Sequence, residues 1–251
     1  MMNQFMVDRV HLQSVDSTNA YVRRCLSAGR HFAEITLVDT DAQTAGRGQK
    51  GNSWECEPGK NLAFSLVCHP SQVPASHQFI LSQAIALAVC ESLSEFADGF
   101  TVKWPNDIYW NDYKVSGTLI ECDLLGKQLD TCIIGTGVNV NQTVFVSDAP
   151  NPMSLGQIVG ASCDREALLA SIVREFVRLY GLIQRGHDEL VRAEYVSRLY
   201  RSSGLWPFED ANGRFEAGFA GIEPTGHLLL RTAGGELRRY EFKEVRFVLP
   251  F

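Results

Sequence analysis

Several signatures of catalytic chemistry are missing from this sequence. Its cysteines, at 25, 56, 68, 90, 122, 132 and 163, form no CxxC or CxxxC pair, and its histidines form no HxxxH or HExxH pair. Those absences disfavour a zinc centre. An odd number of widely spaced thiols reads as reduced cysteines in a reducing compartment, most of them small core residues. No nucleophile elbow and no Cys–His arrangement stands out, which disfavours covalent catalysis. Long apolar runs are also lacking: "FILSQAIALAVC" falls well short of the ~20 residues a membrane helix needs. The N-terminal "MMNQFMVDRVHLQ" has charged and polar residues interspersed throughout and does not read as a secretory signal, so a cytoplasmic address without a membrane partner is expected. Nor is there an excess of basic residues. A net charge of −6 argues against a sequence-independent nucleic-acid binder, whose affinity depends on neutralising phosphates.

What is present suits a soluble globular fold. With 251 residues, of which 45% are hydrophobic and 21% charged, the chain can bury an ordinary core without a disulfide or metal staple. "VHLQSV", "EITLVDT" and "NLAFSLVC" read as strands, and "DSTNAYVRRCLSAG" reads as a capped helix. The longest helix is expected from Pro74 to just before Gly99. "FTVKW" is a short strand broken by Pro105, and "KVSGTLIECDLLGKQLDTCIIGTGVNV" is a pair of long strands joined around Gly126. A loop spans 142–157, and the helices "REALLASIVREFVRLYGLIQRG" and "HDELVRAEYVSRLYR" follow it. After Gly204 short alternating runs separated by glycines predict four or five strands. The expectation is an α+β domain over residues 1–203 with a small β-barrel, residues 204–251, docked on it.

Four clusters could carry chemistry. In "GRGQKGNSW", Gly46, Gly48 and Gly51 permit close backbone approach, and Arg47 can place two donors on a carboxylate or phosphate. No GKS or GKT follows and no helix follows, so this is neither a Walker A loop nor a dinucleotide fingerprint. Anion binding and a plain glycine-rich turn both fit. In "KWPNDIYWNDYK", Pro105 presents Asn106 and Asp107 at a strand end. Asp107 is a candidate Mg²⁺ ligand, and Lys103 and Lys114 are compact cations for phosphate or carboxylate oxygens. A polar turn with surface lysines is the plainer alternative. Gly117 suggests a bulge or a ligand lying close to the strand. "GTGVNVNQ" ends an apolar strand with Gly135, Gly137 and Asn139, which fits nucleotide contact or an ordinary turn. In "DSTN", Ser17 or Thr18 can cap the helix or bind a polar ligand head.

In this order and spacing the four clusters resemble the biotin protein ligases. "KWPND" followed by "K-x-x-G-x-L-x-E" is the most specific of them, and the likeness runs through the final β-domain to "FKEVRFV". The resemblance implies a class II aminoacyl-tRNA synthetase/biotin ligase-like mixed sheet with helices packed on it and a C-terminal SH3-like barrel. It implies an ATP- and Mg²⁺-dependent enzyme, a biotin–[acetyl-CoA-carboxylase] ligase that forms biotinyl-5′-AMP. Biotin is then transferred to a lysine of a biotin carboxyl carrier protein, and no protein nucleophile is needed. Ser17, Thr18, Asn19, Gln43, Gly46, Arg47, Lys114 and Gly117 would bind biotin. Arg47, Trp54, Lys103, Asn106, Asp107 and Asn139 would bind ATP. Arg47, Asp107 and Lys114 would carry the chemistry, with Asp107 on the metal. Because "DSTN" begins at Asp16, the monofunctional type without a DNA-binding domain is expected, as a monomer or weak homodimer that binds no nucleic acid. One departure stands out: many members carry arginine where this chain has Gln49, and Lys50 is the nearby cation. The rival within the same chemistry is a lipoate or octanoate ligase; outside it, a non-enzymatic biotin-binding protein.

Overall fold

The structure, a computed structural model, describes residues 6–48, 52–147 and 149–250. Strand β1 (Val7–Val15) leads through helix α1 (Thr18–Ser27) to β2 (Ile35–Gln43) and β3 (Leu62–Cys68). Helix α2 (Phe79–Ser94) precedes β4 (Phe100–Lys103), β5 (Asp107–Trp110), β6 (Tyr113–Leu125) and β7 (Gln128–Val138). These strands form one sheet in the order β1-β2-β3-β7-β6-β5-β4, in which only β1 and β2 run parallel. The parallel pair is possible because α1 supplies the crossover between its strands.

Both faces of the central strands are covered, so β2 from Ile35 to Thr40 and all of β3 are buried without alternation, β3 as a nearly continuous apolar run and β2 with Thr36, Asp39 and Thr40 among its buried residues. On one face α1 packs Val22 against Val38, Val67 and Ile133. On the other lies α2, which is apolar around most of its circumference and buried between the sheet and helices α4 (Arg165–Gln184) and α5 (Asp188–Ser197). The buried stripe of α4, Leu168, Leu169, Ile172, Phe176, Leu179 and Ile183, follows helical spacing. Each such side chain contributes about 1.5–3 kcal/mol of hydrophobic stabilisation. A short α3 (Leu155–Val159) is closed by a capping box between Ser154 and Gln157.

The helix expected from Pro74 to Gly99 is shorter than its pattern. Residues Ala75–His77 form a 3₁₀ turn instead, and the Ala75 N–H donates to Lys127 O across the molecule. The tertiary bond there overrides local propensity. The C-terminal region forms β8 (Trp206–Asp210), β9 (Gly213–Ile222), β10 (Leu228–Thr232), β11 (Leu237–Tyr240) and β12 (Arg246–Phe247). They make an antiparallel sheet in the order β11-β10-β9-β8-β12, a small β unit as expected. Among the described residues no ladder joins β11 to β12, so the barrel is not closed by hydrogen bonds. No helix among the described residues is long and apolar enough to cross a membrane.

Candidate functional site

The face of the sheet that carries α1 holds a floor of small residues. Strand register aligns Ala63, Gly137 and Gly117 in one row across β3, β7 and β6, and Ser65, Gly135 and Leu119 in the next row on that face. The floor glycines are fixed by close approach. A Cβ on Gly137 would collide with the Trp54 indole, and one on Gly135 would collide with the Asn19 amide. At Gly117 a Cβ would stand 3.1 Å from Lys114 Nζ and 3.2 Å from Asp107 Oδ1. Strand-interior glycine is costly in entropy, and here it makes room for functional side chains.

Above this floor is a cavity of about 600 Å³. Ser17, Thr18, Asn19, Gln43, Arg47, Trp54, Asn106, Asp107, Lys114, Gly117 and Asn139, all anticipated from the sequence, line it together. Gly46 lies behind the wall, where a Cβ would collide with the Trp54 carbonyl. Lys103 is not among the lining residues; its ammonium sits 5.0 Å from the Tyr109 ring and 5.1 Å from the Phe247 ring. Burial pushes the Lys103 ammonium below its ordinary value, with Asp107 opposing and Arg201 reinforcing the shift. Gln49, Lys50 and Gly51 of the glycine loop lie outside the described residues.

One end of the cavity is neutral and polar. Ser17 occupies the N-cap position of α1, yet its hydroxyl makes no cap bond; its own N–H donates to Asp16 Oδ1 at 2.8 Å. Helix capping is therefore not what its side chain does. The Thr18 N–H donates to Gln43 Oε1 at 3.1 Å, leaving the Gln43 amide nitrogen as a donor. Ser65 Oγ lies 2.7 Å from both Thr18 Oγ1 and Asn19 Oδ1, and Asn19 Nδ2 donates to Glu121 Oε2 at 2.8 Å. Glu121 in turn stands 3.9 Å from the Arg47 guanidinium. A chain of polar groups, buried at Thr18, Ser65 and Asn19 and more exposed at Glu121 and Arg47, thus ties the α1 terminus to the glycine loop.

The other end is charged. Lys114 Nζ pairs with Asp107 Oδ1 at 2.8 Å and lies 5.9 Å from the Trp54 ring. The β5–β6 turn brings them together: Tyr109 pairs with Lys114 across the strands, with a bulge beside it. Among the described lining residues the cations are Arg47, Lys114 and Lys243, against a single carboxylate, Asp107. A chain of net charge −6 therefore gathers positive charge at one place. No histidine or cysteine is among those lining residues. The cavity can hold and polarise anions, and among its described lining residues no histidine stands beside a hydroxyl to activate it as a nucleophile.

Two walls were not visible in the sequence. Phe242 and Lys243 reach the cavity from the C-terminal sheet, where Trp104 Nε1 donates to Gly226 O at 2.9 Å and Trp104 packs on Phe242. Ser147 and residues 149–152 form the second wall, which is anchored to β6: Lys114 N–H donates to Asn151 O at 2.7 Å, and Met153 N–H to Lys114 O at 3.0 Å. Asn139 Nδ2 donates to Met153 O at 3.3 Å. Burial works to raise the Glu55 carboxyl, but bonds from Ser147, Val146 and Gln142 outweigh it and hold the group below the ordinary carboxylate range. Only the separate "FKEVRFV" and the proline-rich loop hinted at these walls.

Fold and cavity define a class: a mixed sheet with a glycine-floored, cation-lined pocket for an anionic ligand with a polar head. The model of the biotin/lipoate A/B protein ligase family matches residues 12–139. The chain belongs to that family, among its biotin protein ligases. It is 30% identical over 231 residues to the biotin–[acetyl-CoA-carboxylase] ligase of Paracoccus denitrificans, covering 89% of this chain and 94% of that one. It is 31% identical over 219 residues to the bifunctional ligase/repressor BirA of Bacillus subtilis. That match covers 85% of this chain and 66% of the relative's length, so the chain spans just under two thirds of it. The solved biotin protein ligase from Aquifex aeolicus in complex with biotin and ATP superposes with a TM-score of 0.79 at 25% identity. It covers 96% of this chain and 99% of its own.

Proposed function

We propose that this protein is an ATP-dependent ligase that joins biotin to AMP and transfers it to a lysine of a biotin carboxyl carrier protein. The observation that supports it most is a cavity with a neutral hydrogen-bonding end and a cationic end but no histidine or cysteine among its described lining residues. Such a site suits a reaction whose nucleophile is the substrate's own carboxylate. Two anionic reactants must meet, and fixed cations lower the cost of bringing them together.

At the neutral end, Ser17, Thr18, Asn19 and Gln43 bind the ureido head of biotin, which needs both donors and acceptors. Gly117 and the backbone at Gly46 let the valeryl chain lie close to the strands. At the charged end, Arg47 and Lys114 hold the carboxylate as it attacks the α-phosphorus; the carboxylate oxygen forms the new O–P bond and pyrophosphate leaves. Trp54 and Asn106 surround adenine, and Asn139 holds the wall beside the triphosphate. Lys243 adds a cation to the cavity wall, whereas Gln49 brings none in sequence. Lys103, held between rings, has no part in this reading. The donor set suits Mg²⁺ bound chiefly by phosphate oxygens, since Asp107 is the one carboxylate among the described lining residues and Mg²⁺ takes few of them. The ion, when bound, neutralises charge on the triphosphate. The second step is attack by the carrier lysine on the mixed anhydride, releasing AMP.

The test is transfer of labelled biotin to a purified carrier domain, omitting ATP, Mg²⁺ or biotin in turn. Transfer that requires all three supports the proposal. Tight biotin binding without ATP consumption would make this a biotin-binding protein, and transfer of lipoate or octanoate in place of biotin would move it to the neighbouring ligases.

A further inference from the structure

Away from the cavity, three cysteines stand in a row across adjacent strands. Cys68 of β3 pairs with Cys132 of β7, and Cys132 pairs with Cys122 of β6. Directly opposed residues of antiparallel strands project to the same side of the sheet, with Cα separations compatible with a disulfide. The row is unequal. Cys68 and Cys132 are fully buried, whereas Cys122 is partly exposed. The Cys122 and Cys132 sulfurs are 2.6 Å apart, with the Cys132 thiol directed at Cys122. No comparable bond links Cys68 to either of them, and all three are free thiols.

We propose that Cys122 and Cys132 form a reversible dithiol that peroxide oxidises to a cross-strand disulfide, with Cys122 as the sulfur that meets the oxidant. The donor bond from Cys132 lowers the Cys122 thiol below its ordinary value; burial and the Asp123 carboxylate work against this, and the Arg23 guanidinium assists it. Arg23 is fixed there by an ion pair to Asp123 at 2.5 Å. Cys132 shifts the other way, held protonated by its role as donor and by burial. The polarity of the pair therefore matches the access: the sulfur favoured as thiolate belongs to the partly exposed residue and its partner is fully buried.

The chemistry balances. The Cys122 thiolate attacks one peroxide oxygen; an S–O bond forms, the O–O bond breaks, and the departing hydroxide takes up a proton. Cys132 then loses its proton and its sulfur attacks Cys122, forming the S–S bond and breaking the S–O bond with release of water. Two thiols and one hydrogen peroxide yield one disulfide and two waters. A low-molecular-weight thiol attacking the Cys122 sulfur would form a mixed disulfide and release Cys132, and a second such thiol would free Cys122 and leave as the small-molecule disulfide. The bond would tie together the two strands that carry Gly117 and Gly137.

Lys127 separates the two cysteines, so trypsin releases them on different peptides, 115–127 and 128–165, unless they are linked. The full-length protein, reduced and then exposed to a stoichiometric amount of hydrogen peroxide, is digested without reduction. Fragmentation of the linked peptide distinguishes Cys132 from Cys163, which shares its peptide. The expected result is a Cys122–Cys132 link as the main oxidised species. It should vanish on reduction, be lost in C122S, and persist in C68S and C163S. Cys122 driven to sulfinic acid without any link, or a link joining Cys132 to Cys68, or Cys122 to Cys163, would overturn the proposal.

Discussion

In the cavity, the Lys114 ammonium faces Asp107 at 2.8 Å beside an open space of about 600 Å³. At the junction with the C-terminal sheet, cations of the same formal charge are enclosed by rings. Lys103 lies between Tyr109 and Phe247, and Arg201 between Tyr200 and Trp206 at 4.9 and 4.7 Å. Arg201 is only 6% exposed, donates to Val248 O at 3.0 Å, and stands 3.6 Å from Asp112. The lesson is one of unspent capacity. A cation with an exchangeable partner and adjacent space can serve a ligand, whereas a cation closed in by aromatic faces serves the fold.

Lys114→Ala tests the contrast most severely. It should lower biotin adenylation on the order of a thousandfold, because a preorganised charge at the reacting carboxylate is lost, while thermal stability hardly changes. Normal pyrophosphate release by the variant would remove Lys114 from the reaction. Next comes the floor. Gly137→Ala should displace the Trp54 indole and raise the KM for ATP on the order of tenfold or more, since overpacking forces neighbours from their positions. Titration of initial rates against ATP would show it, and an unchanged KM would mean that Trp54 is not near the nucleotide.

At the junction the effects should fall on stability instead. Arg201→Ala should destabilise the fold on the order of 2–4 kcal/mol, removing two ring contacts and a buried ion-pair partner. Denaturant unfolding would measure it, and adenylation at a temperature where the variant stays folded should be near normal. Lys103→Met should have the smallest effect, within about 1 kcal/mol at neutral pH, because lost cation–π attraction and relieved burial of charge oppose each other. Its pH dependence carries a sign. The folded Lys103 has a lowered pKa, so its burial penalty is fully present below the folded value. Stability then rises with pH from that value up to the unfolded one near ~10.4. Melting curves across alkaline pH should show this rise in the native protein relative to Lys103→Met, and identical profiles would contradict the placement of that charge.

By residue type and spacing Lys103 and Lys114 look alike, since both flank "WPNDIYWNDY"; only the family resemblance put Lys114 in the chemistry and Lys103 on ATP alone. What separates them is tertiary. Phe247, far along the chain, closes one box, and the β5–β6 turn opens the other toward Asp107. Residues that act through local geometry were legible, such as Gly117 in a strand and the polar run at the α1 terminus. So were the strands of the large sheet, because period and turn residues are local signals. Phe242 and Lys243 were not, since nothing in the sequence of the turn between β11 and β12 says which surface it will dock against. Ser17 looked like a cap, and only the bond from its own N–H to Asp16 shows that its hydroxyl is not used as one. Gly135 and Glu121 gained meaning only when Asn19 was seen to touch both.

The central claim is that this cavity activates the carboxylate of biotin, with its polar end reading the ureido head. Exchange of labelled pyrophosphate into ATP tests that directly, run with biotin, lipoate and octanoate in parallel. The account predicts exchange with biotin alone, lost in Lys114→Ala. Equal or greater exchange with lipoate or octanoate, or none with any acid, would contradict it.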